Sequence, residues 1–120
     1  MTRGNPAGSD SPDAGSPAAL DARLFAELFA SLASLLRSYT AAHGLHKKRE
    51  AAFDLTEDEI IVRHGEKWLR LERNHAIFSW TRENGSMGIL ELTEHGHLRG
   101  PAGEEAMDLT AEQWARELMQ

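Results

Sequence analysis

From Glu59 to Gly100 apolar and polar positions alternate in short runs. The runs are separated by the pairs His64-Gly65, Asn74-His75, Asn84-Gly85 and His95-Gly96. Period-two alternation marks strands with one face toward a core, and short links containing Gly or Asn mark hairpins. The pattern predicts an antiparallel β-meander of four to five strands. The clear strands cover residues 59–63, 66–73, 76–82 and 87–93, with a weak one at 97–99 and a doubtful one at 52–55.

On either side of this region the period changes to that of a helix. Leu20, Leu24, Leu28, Leu32, Leu35, Leu36 and Tyr39 recur at spacings of three and four, and Phe25 and Phe29 widen the stripe. Ser16 is placed as an N-cap, Pro17 as the first helical residue and Gly44 as the stop, which predicts an amphipathic helix of six to seven turns. Near the other end, Thr110-Ala-Glu-Gln113 has the form of a capping box and opens a short helix carrying Trp114, Leu118 and Met119. The fold class is α+β: the meander, a long N-terminal helix on one face and a short C-terminal helix completing the core. Leu24, Leu28, Leu32, Leu69, Leu71, Phe78 and Trp80 are the expected core.

If His64-Gly65, Asn74-His75 and Asn84-Gly85 are all two-residue turns, the faces of the sheet can be written out. One face holds Ile60, Val62, Leu69, Leu71, Phe78, Trp80, Met87 and Ile89. The other holds Ile61, Trp68, Ile77, Leu90 and Leu92 among Glu59, Arg70, Glu72 and Thr81. A sheet covered on one side shows polar alternation on the other, whereas this register makes both faces apolar. The second face is expected to be partly covered by the C-terminal helix, with a residual patch that pairs two subunits. Ile61, Trp68, Arg70, Ile77, Leu90 and Leu92 form the candidate interaction surface. A slip of one residue in any turn exchanges the faces of the strand that follows.

Composition narrows the function. The 120 residues carry a net charge of −6 and no cysteine. The acidic balance argues against general nucleic-acid or anionic-membrane binding, and the lack of cysteine removes disulfides and thiolate chemistry. Residues 1–16, rich in Gly, Pro, Ser and Asp, are expected to be a disordered tail, with 17–120 a single α+β domain. The basic link His46-Lys47-Lys48-Arg49 follows the long helix, where positive charge complements the helix dipole. Neither a signal peptide nor a membrane span is visible in the sequence, and a reducing cytoplasm is the compartment that fits.

Candidate chemistry is sparse. His75, His95 and His97 fall at one end of the meander and are the candidate metal ligands, with His95-x-His97 a usable spacing. Carboxylates at Glu57-Asp58-Glu59, Glu91, Glu94 and Glu104-Glu105 show no pairing that sets apart an acid and a base. No G-x-S-x-G elbow is present, and Gly100-Pro101-Ala102-Gly103 lacks the lysine of a phosphate-binding loop. The sequence therefore points away from catalysis and implies no cofactor.

Trp68, with Arg63, Lys67 and Arg70, is the nearest approach to an aromatic and basic platform for single strands. A meander followed by the helix at Leu109–Leu118 resembles positive-cofactor-four and Pur-type single-strand binders over about ten residues plus a strand count. The acidic charge and long first helix depart from that family. The helix–meander–helix order is similar in layout to frataxin-like domains, but the first helix carries only Asp21 and Glu27 where their acidic ridge would be. The expected function is a small non-catalytic binding or regulatory module acting through protein–protein contacts, as a homodimer, on the second sheet face. Single-strand binding and histidine-based metal binding are the alternatives.

Overall fold

The computed structural model describes residues 17–45 and 50–120, with side chains from residue 21 onward. The expected tail at 1–16, the Ser16 cap, the Leu20 side chain and the basic link at 46–49 lie outside the described residues. Helix α1 (Pro17–His43) is followed by β1 (Ala52–Leu55), β2 (Glu59–His64), β3 (Lys67–Asn74), β4 (Ile77–Arg82), β5 (Met87–Leu92), β6 (His97–Gly100), β7 (Gly103–Ala106) and helix α2 (Met107–Leu118). The strands form one antiparallel sheet in sequence order, β1 to β7. The α+β meander is as expected, but it has seven strands rather than four to five. The strand that periodicity missed is β7, Gly-Glu-Glu-Ala, which carries no large apolar side chain and is held by backbone pairing to β6.

Turn geometry sets which side chains meet. The β2–β3 and β3–β4 turns lie at Gly65-Glu66 and His75-Ala76, one residue later than expected. That moves each register by two and leaves the faces of β2, β3 and β4 unchanged. The β4–β5 turn behaves differently. Arg82 N–H donates to Ser86 O (2.9 Å) and Gly85 N–H to Arg82 O (3.0 Å), enclosing the three-residue loop Glu83-Asn84-Gly85. Gly85 has φ +88°, the left-handed third position such loops require. Thr81 therefore pairs with Met87 and Phe78 with Leu90. This one-residue slip exchanges the two faces of β5: Leu90 and Leu92 point into the core, and Met87 and Ile89 point out.

Both helices pack on the same face of the sheet. Phe29, Leu32, Ala33 and Leu36 of α1 meet Ile60, Val62, Leu69, Leu71, Phe78, Leu92 and Leu98. From α2 come Met107, Ala111, Trp114 and Leu118, at the spacing of one helical stripe. Phe29, Phe78, Trp114 and Trp80 form a chain of tilted and edge-on ring contacts, with centroids 5.9, 6.5 and 6.2 Å apart. Leu24, Leu28 and Trp80 are half-buried; the fully buried part of α1 starts at Phe29. The expected cover of the second face by the C-terminal helix does not occur.

Helix α2 starts at Met107, with Ala106 as its N-cap and no side-chain cap. The expected capping box is not used. Instead the Met107 N–H donates to Gly96 O (3.1 Å), and the Thr110 hydroxyl donates to Glu105 Oε1 (2.6 Å). The two helices are joined by His43 Nε2, 2.7 Å from Glu112 Oε2, and Glu112 also pairs with Arg116. Hydrogen bonding from Arg116 and then from His43 lowers the Glu112 pKa below its ordinary 4.5.

Candidate functional site

With both helices on one side, the opposite face of the seven strands has no covering element among the described residues. The charged side chains of this open face are paired with one another. Arg63 Nη1 lies 2.7 Å from Asp54 Oδ2, and Arg70 lies 2.7 Å from Glu59 and 3.1 Å from Glu72. Toward the other edge, Arg99 reaches Glu91 at 3.1 Å and Glu104 at 3.5 Å. Glu104 is also 2.7 Å from His97 Nδ1; that contact, then Arg99, draws its pKa below the ordinary carboxylate value.

Between these charged rows lies an apolar patch on β4 and β5. Ile77 is 50%, Met87 71% and Ile89 64% exposed, all on the open face and flanked by Ser79 and Thr81. Isolated exposed apolar side chains are common; these three form one patch, with Met87 and Ile89 two apart on β5 and Ile77 diagonal to Ile89 on β4.

The structure redistributes the expected surface. Ile61, Trp68, Arg70 and Ile77 stand on the open face, as the faces of β2, β3 and β4 require. Leu90 and Leu92 do not: both point to the helices, and Leu92 is only 1% exposed. Their places are taken by Met87 and Ile89, which the expected register had put in the core. The signal that finds them is Gly85, read as the third residue of a three-residue loop rather than the second of a two-residue one.

The aromatic and basic platform is also altered. Trp68 is half-buried on the open face, but Arg63 and Arg70 beside it are already held by carboxylates. Lys67 turns to α2, donating to the carbonyls of Glu117 (3.1 Å) and Gln120 (3.3 Å) at its C-terminal end. The candidate metal ligands are likewise separately engaged or exposed. His97 pairs with Glu104, while His75 and His95 occupy exposed turn positions, His75 with φ +58°. Among the described residues no group of three or more His, Asp or Glu side chains is placed to hold one ion.

A further concavity, about 1090 Å³, lies between α1 and the turns at the β1–β2 and β3–β4 end. Its conspicuous residue is Arg73, whose side chain is 6% exposed. The guanidinium lies 5.7 Å from the Phe29 ring centre, with Nη2 2.7 Å from Asp58 and Nη1 donating to His75 O. Its Nε has no partner among the described residues. This arrangement fastens the β1–β2 turn to the end of β3. At the other end of the core, Arg82 pairs with Glu117 of α2.

The chain matches no protein-family model, no curated protein and no solved structure. No helix among the described residues is long and apolar enough to cross a membrane.

Proposed function

We propose that this chain is a small non-catalytic binding module acting through protein–protein contacts on its open sheet face, and that the first such contact is with a second copy of itself. The observation that supports it is the trio Ile77, Met87 and Ile89, exposed together on a face that neither helix covers. Apposing two such faces removes the trio from water twice over, at about 25 cal/mol per Å² of apolar surface. The surrounding ion pairs form a polar rim of the kind that fixes orientation more than it adds affinity.

The single-strand alternative draws on Trp68 and is the weaker of the two, because phosphates would have to displace carboxylates from Arg63 and Arg70. Light scattering over a concentration series tests the preferred reading. The wild type is expected to move from monomer to dimer mass, and Met87→Lys with Ile89→Lys to remain monomeric while keeping the wild-type circular dichroism. A monomer mass for the wild type at every concentration overturns self-association. A dimer indifferent to both substitutions moves the contact off this face.

A further inference from the structure

The pairing of β5 with β6 stops early. Glu91 pairs with Arg99 and Leu92 with Leu98, and no pair forms closer to Met87. The direction of the backbone groups follows from one bond: Leu92 N–H donates to Ala76 O at 2.6 Å. Leu92, and by alternation Leu90 and Gly88, therefore direct their amides and carbonyls toward β4, while Glu91, Ile89 and Met87 direct theirs toward β6. Extending the β5–β6 register by two places Pro101 opposite Ile89, and proline has no N–H to donate. The chain turns at Pro101-Ala102 and leaves, so Met87–Ile89 has no strand partner on that side.

On the helix-covered side of this gap lies a cleft of about 440 Å³. Trp80, Gly88, Leu90, Leu98, Gly100 and Trp114 are among the residues that line it. A Cβ at Gly88 would sit 2.6 Å from Trp80 Nε1, and one at Gly100 2.6 Å from Leu90 Cδ2. Trp80 and Leu90 thus lie directly over the bare backbone of the two glycines. Glu104 and Glu105 line its rim; Glu104 is held by His97 and Arg99, while the exposed Glu105 accepts from the Thr110 hydroxyl and has no ion pair among the described residues.

We infer that this cleft receives an extended segment of a partner polypeptide, which continues the sheet along Met87–Ile89. A large apolar side chain of the segment fills the space beside Trp80 and Trp114, and a neighbouring basic side chain meets Glu105. Three features select this occupant. Outward-directed backbone groups recognise a strand through its amides and carbonyls, which a globular surface or a small molecule does not supply in series. The period of a strand sends the residues flanking the anchor to the other face, where Met87 and Ile89 stand exposed. Glu105, without an ion pair among the described residues on a chain of net charge −6, favours a basic side chain in the segment. Met87 and Ile89 belong to both surfaces, so a bound segment and an open-face dimer compete for the same strand.

The test uses a blocked seven-residue peptide with Phe at its centre, alternating Val and Thr around it, and Lys at both ends. Binding is read from the protein's tryptophan emission. A saturable change is expected, weakened at least tenfold when alternate peptide amides are N-methylated or when Glu replaces Lys. Glu105→Lys, an exposed substitution whose fold is checked by circular dichroism, is expected to reverse the preference between the Lys and Glu peptides. No response to any peptide, or equal binding of the N-methylated one, overturns strand addition. N-acetylphenylalaninamide binding as tightly as the peptide also overturns it and reassigns the cleft to small apolar molecules. The light-scattering series, run on the protein alone, decides the open-face reading separately.

Discussion

Replacing Leu92 and Ile89 by threonine, one at a time, tests the register of β5 directly. The two positions are three residues apart on one strand, and the loop before them decides which is core. Leu92 is fully buried among Phe78, Leu98 and the helices, whereas about two thirds of Ile89 faces solvent. Leu92→Thr removes a buried leucine side chain, about 1.5–3 kcal/mol of transfer free energy. It also buries a hydroxyl without a partner, about 1–3 kcal/mol more. The expected loss is about 3–5 kcal/mol, a large share of the ~5–15 kcal/mol that holds a domain together. Ile89→Thr keeps a β-branched residue in the strand and removes apolar surface that is mostly wet already, so its cost stays below about 1 kcal/mol. Urea unfolding followed by tryptophan emission gives both numbers from the midpoints, provided the slope stays constant. If Ile89→Thr costs more than Leu92→Thr, the loop is two residues long, the faces of β5 are reversed, and the open-face patch loses two of its three members.

Gly88→Ala drives a Cβ into the Trp80 ring and is expected to cost about 1–3 kcal/mol, with a changed near-ultraviolet dichroism as Trp80 shifts. Asp58→Ala removes the carboxylate from the buried Arg73 guanidinium and is expected to cost about 1–3 kcal/mol in thermal or urea unfolding. A change under about 0.3 kcal/mol would mean that water replaces Asp58 without loss. The depressed pKa of Glu112 and of Glu104 means that the unfolded chain binds protons more readily than the folded one. Their contributions are present in full above pH ~4.5 and are lost as the pH falls through the lower folded values. Glu112→Gln is expected to flatten the fall of the urea midpoint between pH ~5 and ~3, and an unchanged slope would remove Glu112 from the acid response.

Much of the architecture can be read from the residues. The α1 stripe, the meander and the apolar faces of β2, β3 and β4 all follow from periodicity, and two of the turns shift by a whole pleat without consequence. What could not be read turns on single residues. Asn84-Gly85 is compatible with either a two- or a three-residue loop, and only the bonds from Arg82 to Ser86 and from Gly85 to Arg82 choose between them. That choice decides whether Leu90 and Leu92 or Met87 and Ile89 belong to the surface. β7 was illegible because Gly-Glu-Glu-Ala pairs through its backbone alone. The capping-box pattern at Thr110 misleads because the N-cap lies four residues earlier, at Ala106, with the Met107 N–H bonded to Gly96 O. Arg73 and Arg82, two charges on the helix-covered face, were also invisible, since period-two alternation says nothing about where a long polar side chain will find a partner.

The strictly sequential order of the sheet has a kinetic consequence. Every strand pairs with its neighbour in the chain, so each step of sheet assembly closes only a short loop and pays little closure entropy. The helices are the opposite case: His43 and Glu112, which join them, are 69 positions apart in the chain. During synthesis α1 emerges before the surface it will cover, and α2, which completes that surface, emerges after all seven strands. The meander can zip up hairpin by hairpin as it appears, while the apolar stripe of α1 waits for α2. The helix pair is therefore the slow, late-docking unit, and the interval before α2 arrives is when the chain is most exposed to aggregation.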